Sequence, residues 1–160
     1  MGGVYLAAHA WTGERVALKV LDPQYAGHPE VVERLLAEHA LASRVRHPGI
    51  VDIRGSYWTD DRVPYLVMEY LAGETLGAIA DRGALDLPSI LSICAQAAAA
   101  LAALHAAGVI HCDVKHDNLF VLDGGLDRCD GRPRVKVIDF GVSRPIDEPP
   151  RDDPSVAGTP

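Results

Sequence analysis

Short runs of alternating apolar and polar residues fill the first seventy positions, and longer, almost uninterrupted apolar stretches follow. Val4 to Ala8 and Glu14 to Leu21 read as strands parted by a turn signal at Thr12-Gly13. In the second run Val16, Leu18 and Val20 share one face, and Ala17 and Lys19 share the other. Pro29 opens a helix predicted to reach about Arg46, with Val31, Leu35 and Glu38 at helical spacing and His47-Pro48-Gly49 ending it. Ile50 to Tyr57 and Pro64 to Tyr70 read as two further strands joined by a polar turn. The pattern predicts a small antiparallel sheet with one helix packed on it.

After Leu71-Ala72-Gly73 the character changes. Glu74 to Asp81 reads as a short helix, and Pro88 to Ala107 as a long one rich in alanine and leucine. Its polar positions are too few to cover a solvent face, and such a helix is normally buried. Phe120 to Leu122 and Arg134 to Ile138 read as a hairpin around a loop of Gly, Asp and Arg, a surface insertion that holds Cys129. Val142 to Pro160 is proline-rich and reads as irregular.

Composition narrows the function classes. A length of 160 residues with 48% hydrophobic content supports a real core. A formal charge of -7 leaves no basic face for nucleic acid or an anionic membrane. Three scattered cysteines form neither a disulfide framework nor a C-x-x-C pair, which fits a reducing cytoplasm. No apolar run is expected to span a membrane, and no leader is read at the start. Met1-Gly2-Gly3 hints at myristoylation, but Leu6 stands where that signal needs Ser or Thr.

Chemistry concentrates in two strings. His111-Cys112-Asp113-Val114-Lys115-His116-Asp117-Asn118 is followed, after the hairpin, by Asp139-Phe140-Gly141. Together, in this order, they resemble the catalytic loop and metal-binding turn of eukaryotic-type Ser/Thr protein kinases of the bacterial kind. The resemblance implies an α+β, bilobal protein-kinase-like fold, with a small antiparallel β lobe over 1–68, a hinge at 69–73 and a partial, mainly helical large lobe over 74–160. It implies ATP and magnesium (or manganese) as cofactors and Ser/Thr hydroxyls of proteins as acceptors.

Roles follow position by position. Asp113 resembles the base that faces the acceptor hydroxyl, and Lys115 the lysine that steadies the transferred phosphate. Asn118 and Asp139 match the metal ligands. Val16-Ala17-Leu18-Lys19 looks like the strand motif whose lysine reaches the α- and β-phosphates while Ala17 roofs the adenine; Glu38 is its ion-pair partner. The alternative for Lys19 is an edge-strand lysine that discourages aggregation, and Glu38 taken alone reads better as part of a solvated helix face. Gly2 and Val4 resemble the tail of a glycine-rich loop. Met68 stands where the family has its gatekeeper, the backbone of Glu69 and Leu71 where it reads the adenine edge, Phe120 under the purine and Glu74 near the ribose. His111, Cys112 and His116 resemble no zinc motif and are expected to be structural.

Two departures stand out. Cys112 replaces the family's usual arginine, which pairs with a phosphorylated activation-loop residue, so a phosphate on Ser155 or Thr159 would lack its main partner. The chain also stops at Gly158-Thr159-Pro160, which resembles the family's substrate-selecting segment, so it reads as an interior fragment with an exposed face on the alanine-rich helix. Two alternatives remain open at this point. One is a small-molecule phosphotransferase of the aminoglycoside or choline kinase kind; the other is a non-catalytic nucleotide-binding or scaffold module.

Overall fold

The computed structural model describes residues 2–83, 85–123 and 134–148. The 124–133 loop with Cys129, and the 149–160 stretch with Ser155, Thr159 and the Gly158-Thr159-Pro160 ending, lie outside the described residues. Four strands open the fold: β1 (Gly3–Ala8), β2 (Arg15–Val20), β3 (Ile53–Trp58) and β4 (Pro64–Glu69). They form one antiparallel sheet in the order β1-β2-β4-β3. Helix α1 (Pro29–Ala42) packs against β3 and β4.

Pro29 stands in the first turn of α1, where a missing N–H costs nothing. The helix ends at Ala42, short of the predicted Arg46. The Ser43 hydroxyl bonds the Ala40 carbonyl, and the Val45 N–H turns back to Ala42. Leu35, Glu38, Leu41 and Ala42 form its buried stripe.

The second half contains β5 (Gly73–Thr75), α2 (Leu76–Arg82), α3 (Leu87–Ala106), β6 (Val109–Ile110), β7 (Leu119–Leu122), β8 (Val135–Val137) and β9 (Arg144–Pro145). The predicted hairpin is present as β7 and β8, with β5 added on the far side of β7. Glu74, expected in a helix, sits instead in β5. Helix α2 starts only at Leu76, where the Thr75 hydroxyl caps the Ala78 N–H. The tail expected to be irregular contributes β9, which pairs with β6.

Helix α3 corrects another expectation. At 20 residues it is long and apolar enough to cross a membrane by length and composition, although no run was expected to be. It packs by one face only, so the expectation of a helix buried on nearly all sides is not met. Ile93, Ala97, Ala100 and Leu104 are buried, and the helix packs on β6 and β8. The Gln96 carbonyl oxygen accepts from the N–H groups of Arg134 and Val135, capping the start of β8. Leu87, Ile90 and Leu91 lie exposed on its outer side.

A parallel bridge between Ile50 and Val137 ties the halves together: Val51 N–H donates to the Val137 carbonyl at 3.0 Å, and Val137 N–H donates to the Gly49 carbonyl at 2.8 Å. This use of Ile50 to Asp52 explains why β3 begins at Ile53 and not at Ile50. One buried cluster, including Leu35, Leu66, Leu104, Val137 and Phe140, runs through both halves. Leu66, in the middle of β4, has no exposed surface. Leu66→Ala is expected to destabilise the fold by about 2–5 kcal/mol, measured as a lower denaturant midpoint with an unchanged slope.

Candidate active site

The alternation of β2 turns Val16 into the core and brings Ala17 and Lys19 to the opposite face. The buried stripe of α1 carries Glu38 to the same place. Lys19 Nζ donates to Glu38 Oε1 at 2.9 Å and Oε2 at 2.7 Å, and to Asp139 Oδ1 at 2.9 Å. Glu38 is only 2% exposed, which removes the solvated-face reading. Its Oε1 also accepts from the Phe140 N–H at 3.3 Å, so one carboxylate holds both the ammonium and the turn after β8.

Burial alone would lower the Lys19 pKa, but the two carboxylates outweigh it and hold the ammonium above its ordinary value. Burial likewise pushes the Asp139 carboxyl up, and Lys19 together with the Gly141 N–H reverses this, leaving it below the usual carboxylate range. At Glu38 burial is the strongest influence and pushes the carboxyl up against the pull of Lys19. Two carboxylates therefore share one cation in a partly dry site, which leaves the cluster short of positive charge.

The catalytic-loop string folds onto itself around Asp113. Asn118, in a single 3-10 turn, donates its amide N–H groups to the Asp113 carbonyl at 2.8 Å and to Asp113 Oδ2 at 2.9 Å. Lys115 Nζ meets the same Oδ2 at 2.9 Å, and this contact raises the Lys115 pKa. Among the described residues, Oδ1 of Asp113 is left for a further partner. Because the Asn118 nitrogen is committed to Asp113, its Oδ1 is the side chain's remaining coordinating atom.

Beneath this loop His111 is 1% exposed, with its ring 5.2 Å from that of Phe140. Its Nδ1 accepts from the Asp113 N–H at 3.3 Å, so Nε2 carries the proton toward the Ile138 carbonyl at 3.1 Å. Burial lowers its pKa, against the raising influence of Ile138, Asp139 and Asp113.

A cleft of about 400 Å³ runs between the two halves. Val4, Ala17, Lys19, Glu38, Met68, Glu69, Leu71, Asn118, Phe120 and Asp139 all line it. A second cavity, of about 350 Å³, brings Gly2 beside Lys19, Asp113, Lys115 and Asp139. A Cβ at Gly2 would collide with the Val20 carbonyl, so only glycine lets the chain approach β2 so closely.

Glu74 is not among the cleft residues. Its carboxylate is engaged by Arg82 at the end of α2. Tyr70, Asp117 and Ile138 also line the cleft and were passed over; each directly neighbours a residue already singled out.

Metal chemistry can be tested on the donors present. Among the described residues no group of three or more His, Cys, Asp or Glu is arranged for a metal, and His111 spends Nδ1 on a backbone N–H. Zinc therefore does not fit. The amide oxygen of Asn118 and the carboxylate of Asp139 are a hard, two-oxygen set on one cleft. This fits magnesium or manganese, which take one or two protein oxygens and complete their shell with water and phosphate.

Residues 1–160 match the sequence profile of the protein kinase domain. The chain belongs to the protein kinase domain family. It is 40% identical over 147 residues to the serine/threonine-protein kinase Pkn1 of Myxococcus xanthus, covering 92% of this chain and 20% of that protein. It is 36% identical over 155 residues to the serine/threonine-protein kinase PknA of Mycobacterium tuberculosis, covering 94% of this chain and 34% of PknA. Similarity extends to the serine/threonine-protein kinase PAK mbt of Drosophila melanogaster, 33% identical over 159 residues, covering 99% of this chain and 23% of that protein. The kinase-domain chain thus spans between a fifth and about a third of the length of these relatives. The four-stranded sheet with α1, the cleft and the helical second half are the α+β, bilobal protein kinase fold.

In this kinase-domain chain the neutral, buried His111 links the loop to acidity. A lowered folded pKa favours folding above the ordinary histidine value of about 6.5. That contribution is lost as pH falls through the lower folded value. Stability measured by denaturant titration is therefore expected to drop between about pH 6.5 and the folded pKa, and the slope is expected to flatten in His111→Gln.

Proposed function

We propose that this chain transfers the γ-phosphoryl group of ATP to Ser or Thr hydroxyls of proteins. The observation that carries the reading is the convergence of Lys19, Asp139 and Asn118 on one cleft, with Asp113 bound to Asn118. The family match and the serine/threonine kinase relatives support the same class.

Lys19, held charged by Glu38 and Asp139, presents an ammonium to the α- and β-phosphates. Magnesium or manganese at Asn118 and Asp139 would neutralise charge on the phosphate oxygens. Asp113 offers Oδ1 to the acceptor hydroxyl while Lys115 and Asn118 hold its other oxygen. Orientation of that hydroxyl, and acceptance of its proton, fall to this carboxylate. Lys115, half in solvent beside Asp113, is placed to steady the transferred group. Ala17, Val4 and Met68 enclose the adenine over Phe120, and the backbone of Glu69 and Leu71 reads its edge. The cleft supports a division into a small lobe (1–68), a hinge (69–73) and a large-lobe part (74–160). A cytoplasmic location gives access to ATP and protein acceptors.

The test uses the full-length protein, ATP and a generic protein acceptor with magnesium. Phosphate is expected on Ser or Thr, to be lost on chelation of the metal, and to fall by roughly 10²–10⁴-fold in Asp113→Asn. Lys19→Met is expected to abolish most turnover as well. Transfer to aminoglycosides or choline without transfer to protein would sink the reading, as would nucleotide binding with no turnover by the unaltered protein.

A further inference from the structure

One ion pair in the fold belongs to no role described above. Lys136, in the middle of β8, extends its ammonium to Glu69 Oε1 at the end of β4, and also to the Ile50 carbonyl at 3.3 Å. The same Glu69 oxygen accepts from the Asp52 N–H at 2.8 Å, and the Glu69 N–H returns a bond to the Asp52 carbonyl at 2.9 Å. Both charged side chains are largely withdrawn from water, at 13% and 21% exposure. At that depth their attraction is screened much less than that of a surface pair.

The position of the pair matters more than its strength. Lys136 lies directly across from Phe120 in the β7–β8 register, and Phe120 lines the adenine end of the cleft. Three residues after Lys136 comes Asp139, the metal carboxylate. At the other end, Glu69 is the last residue of β4 and passes straight into the linker that frames the cleft. One ammonium therefore joins β8, which pairs with the strand of Phe120 and leads into the Asp139 turn, to the residue whose backbone faces the adenine. Next to Lys136, the strand is also tied by the backbone bonds between Val137 and Gly49 and Val51.

We infer that Lys136 is a positioning residue for nucleotide binding: through Glu69 it fixes the distance between the adenine-reading backbone and the Asp139 turn. The inference rests on the proposed nucleotide site. Removing the ammonium leaves the Glu69 carboxylate with the Asp52 N–H alone, and the linker is free to shift against β8. Interactions with the adenine weaken, while Lys19, Asp113 and Asn118 keep their own contacts.

The test compares full-length wild type, Lys136→Met, Lys136→Arg and the exchange double variant Lys136→Glu/Glu69→Lys. Magnesium-ADP affinity is measured by calorimetry, KM for ATP and kcat by steady-state assay, and thermal unfolding on the same samples. Lys136→Met is expected to raise KM for ATP and the Kd for magnesium-ADP by about fivefold or more, with kcat within about twofold. Lys136→Arg is expected to recover most of the loss, and the exchange variant part of it. These sizes match the loss of one partly buried charged contact. Unchanged KM and Kd in Lys136→Met overturn the inference. So does a rise in kcat with unchanged KM, because the pair would then restrain the halves and not position the nucleotide. A fall in unfolding temperature with no change in binding assigns Lys136 a structural role and overturns it too. Absence of nucleotide binding by wild type overturns the proposed site itself, and this inference with it.

Discussion

A single ammonium, that of Lys19, lies between a buried carboxylate on a helix and a carboxylate on a turn some 120 residues later in the chain. The constraint is severe because Glu38 has almost no contact with water. Removing one partner of a buried pair leaves an uncompensated charge, which costs several kcal/mol, roughly 3–5 in measured cases. Helix α1, strand β2 and the turn after β8 must therefore stay in register with one another. The order of the sheet and the zipper between Val51 and Val137 serve that registration, since they bring the two halves to the same edge.

The second half is organised around neutral atoms placed where charge would be costly. The His111 imidazole bridges the Asp113 N–H and the Ile138 carbonyl, so the loop before Asp113 and the strand before Asp139 cannot drift apart. Asn118 does the same for the loop's own closure, tying both the backbone and the side chain of Asp113. Gln96 is the corresponding device on α3, where a mostly apolar helix spends one amide oxygen on two N–H groups at the start of β8. Each uses a fixed dipole and avoids the desolvation cost of an ion.

Much of this was legible in the chain, for identifiable reasons. The alternation in Arg15–Val20 decides which face Lys19 occupies, and the helical spacing of Leu35 and Glu38 places the latter on the inward stripe. Features that depended on a side chain's distant partner were not legible. Glu74 looked free to reach the cleft, but its preference for Arg82 exists only once α2 has formed. Strands of two or three residues, such as β5, β6 and β9, are too short to show a period of two, so their pairing could not be read. The role of Lys136 was hidden for the same reason: its neighbour in space lies 67 residues away.

Asp139 and Cys112 both hold positive φ angles, 63° and 66°, in the left-handed region that costs most side chains about 1–2 kcal/mol. Aspartate bears this better than most, because its short carboxylate bonds locally, here to the Gly141 N–H at 3.2 Å. The backbone at the metal turn is consequently wound against its own preference and kept so by outside grips. The ion pair with Lys19 and the bond from the Phe140 N–H to Glu38 therefore offset a local backbone cost of about 1–2 kcal/mol, holding this turn in shape as well as in place.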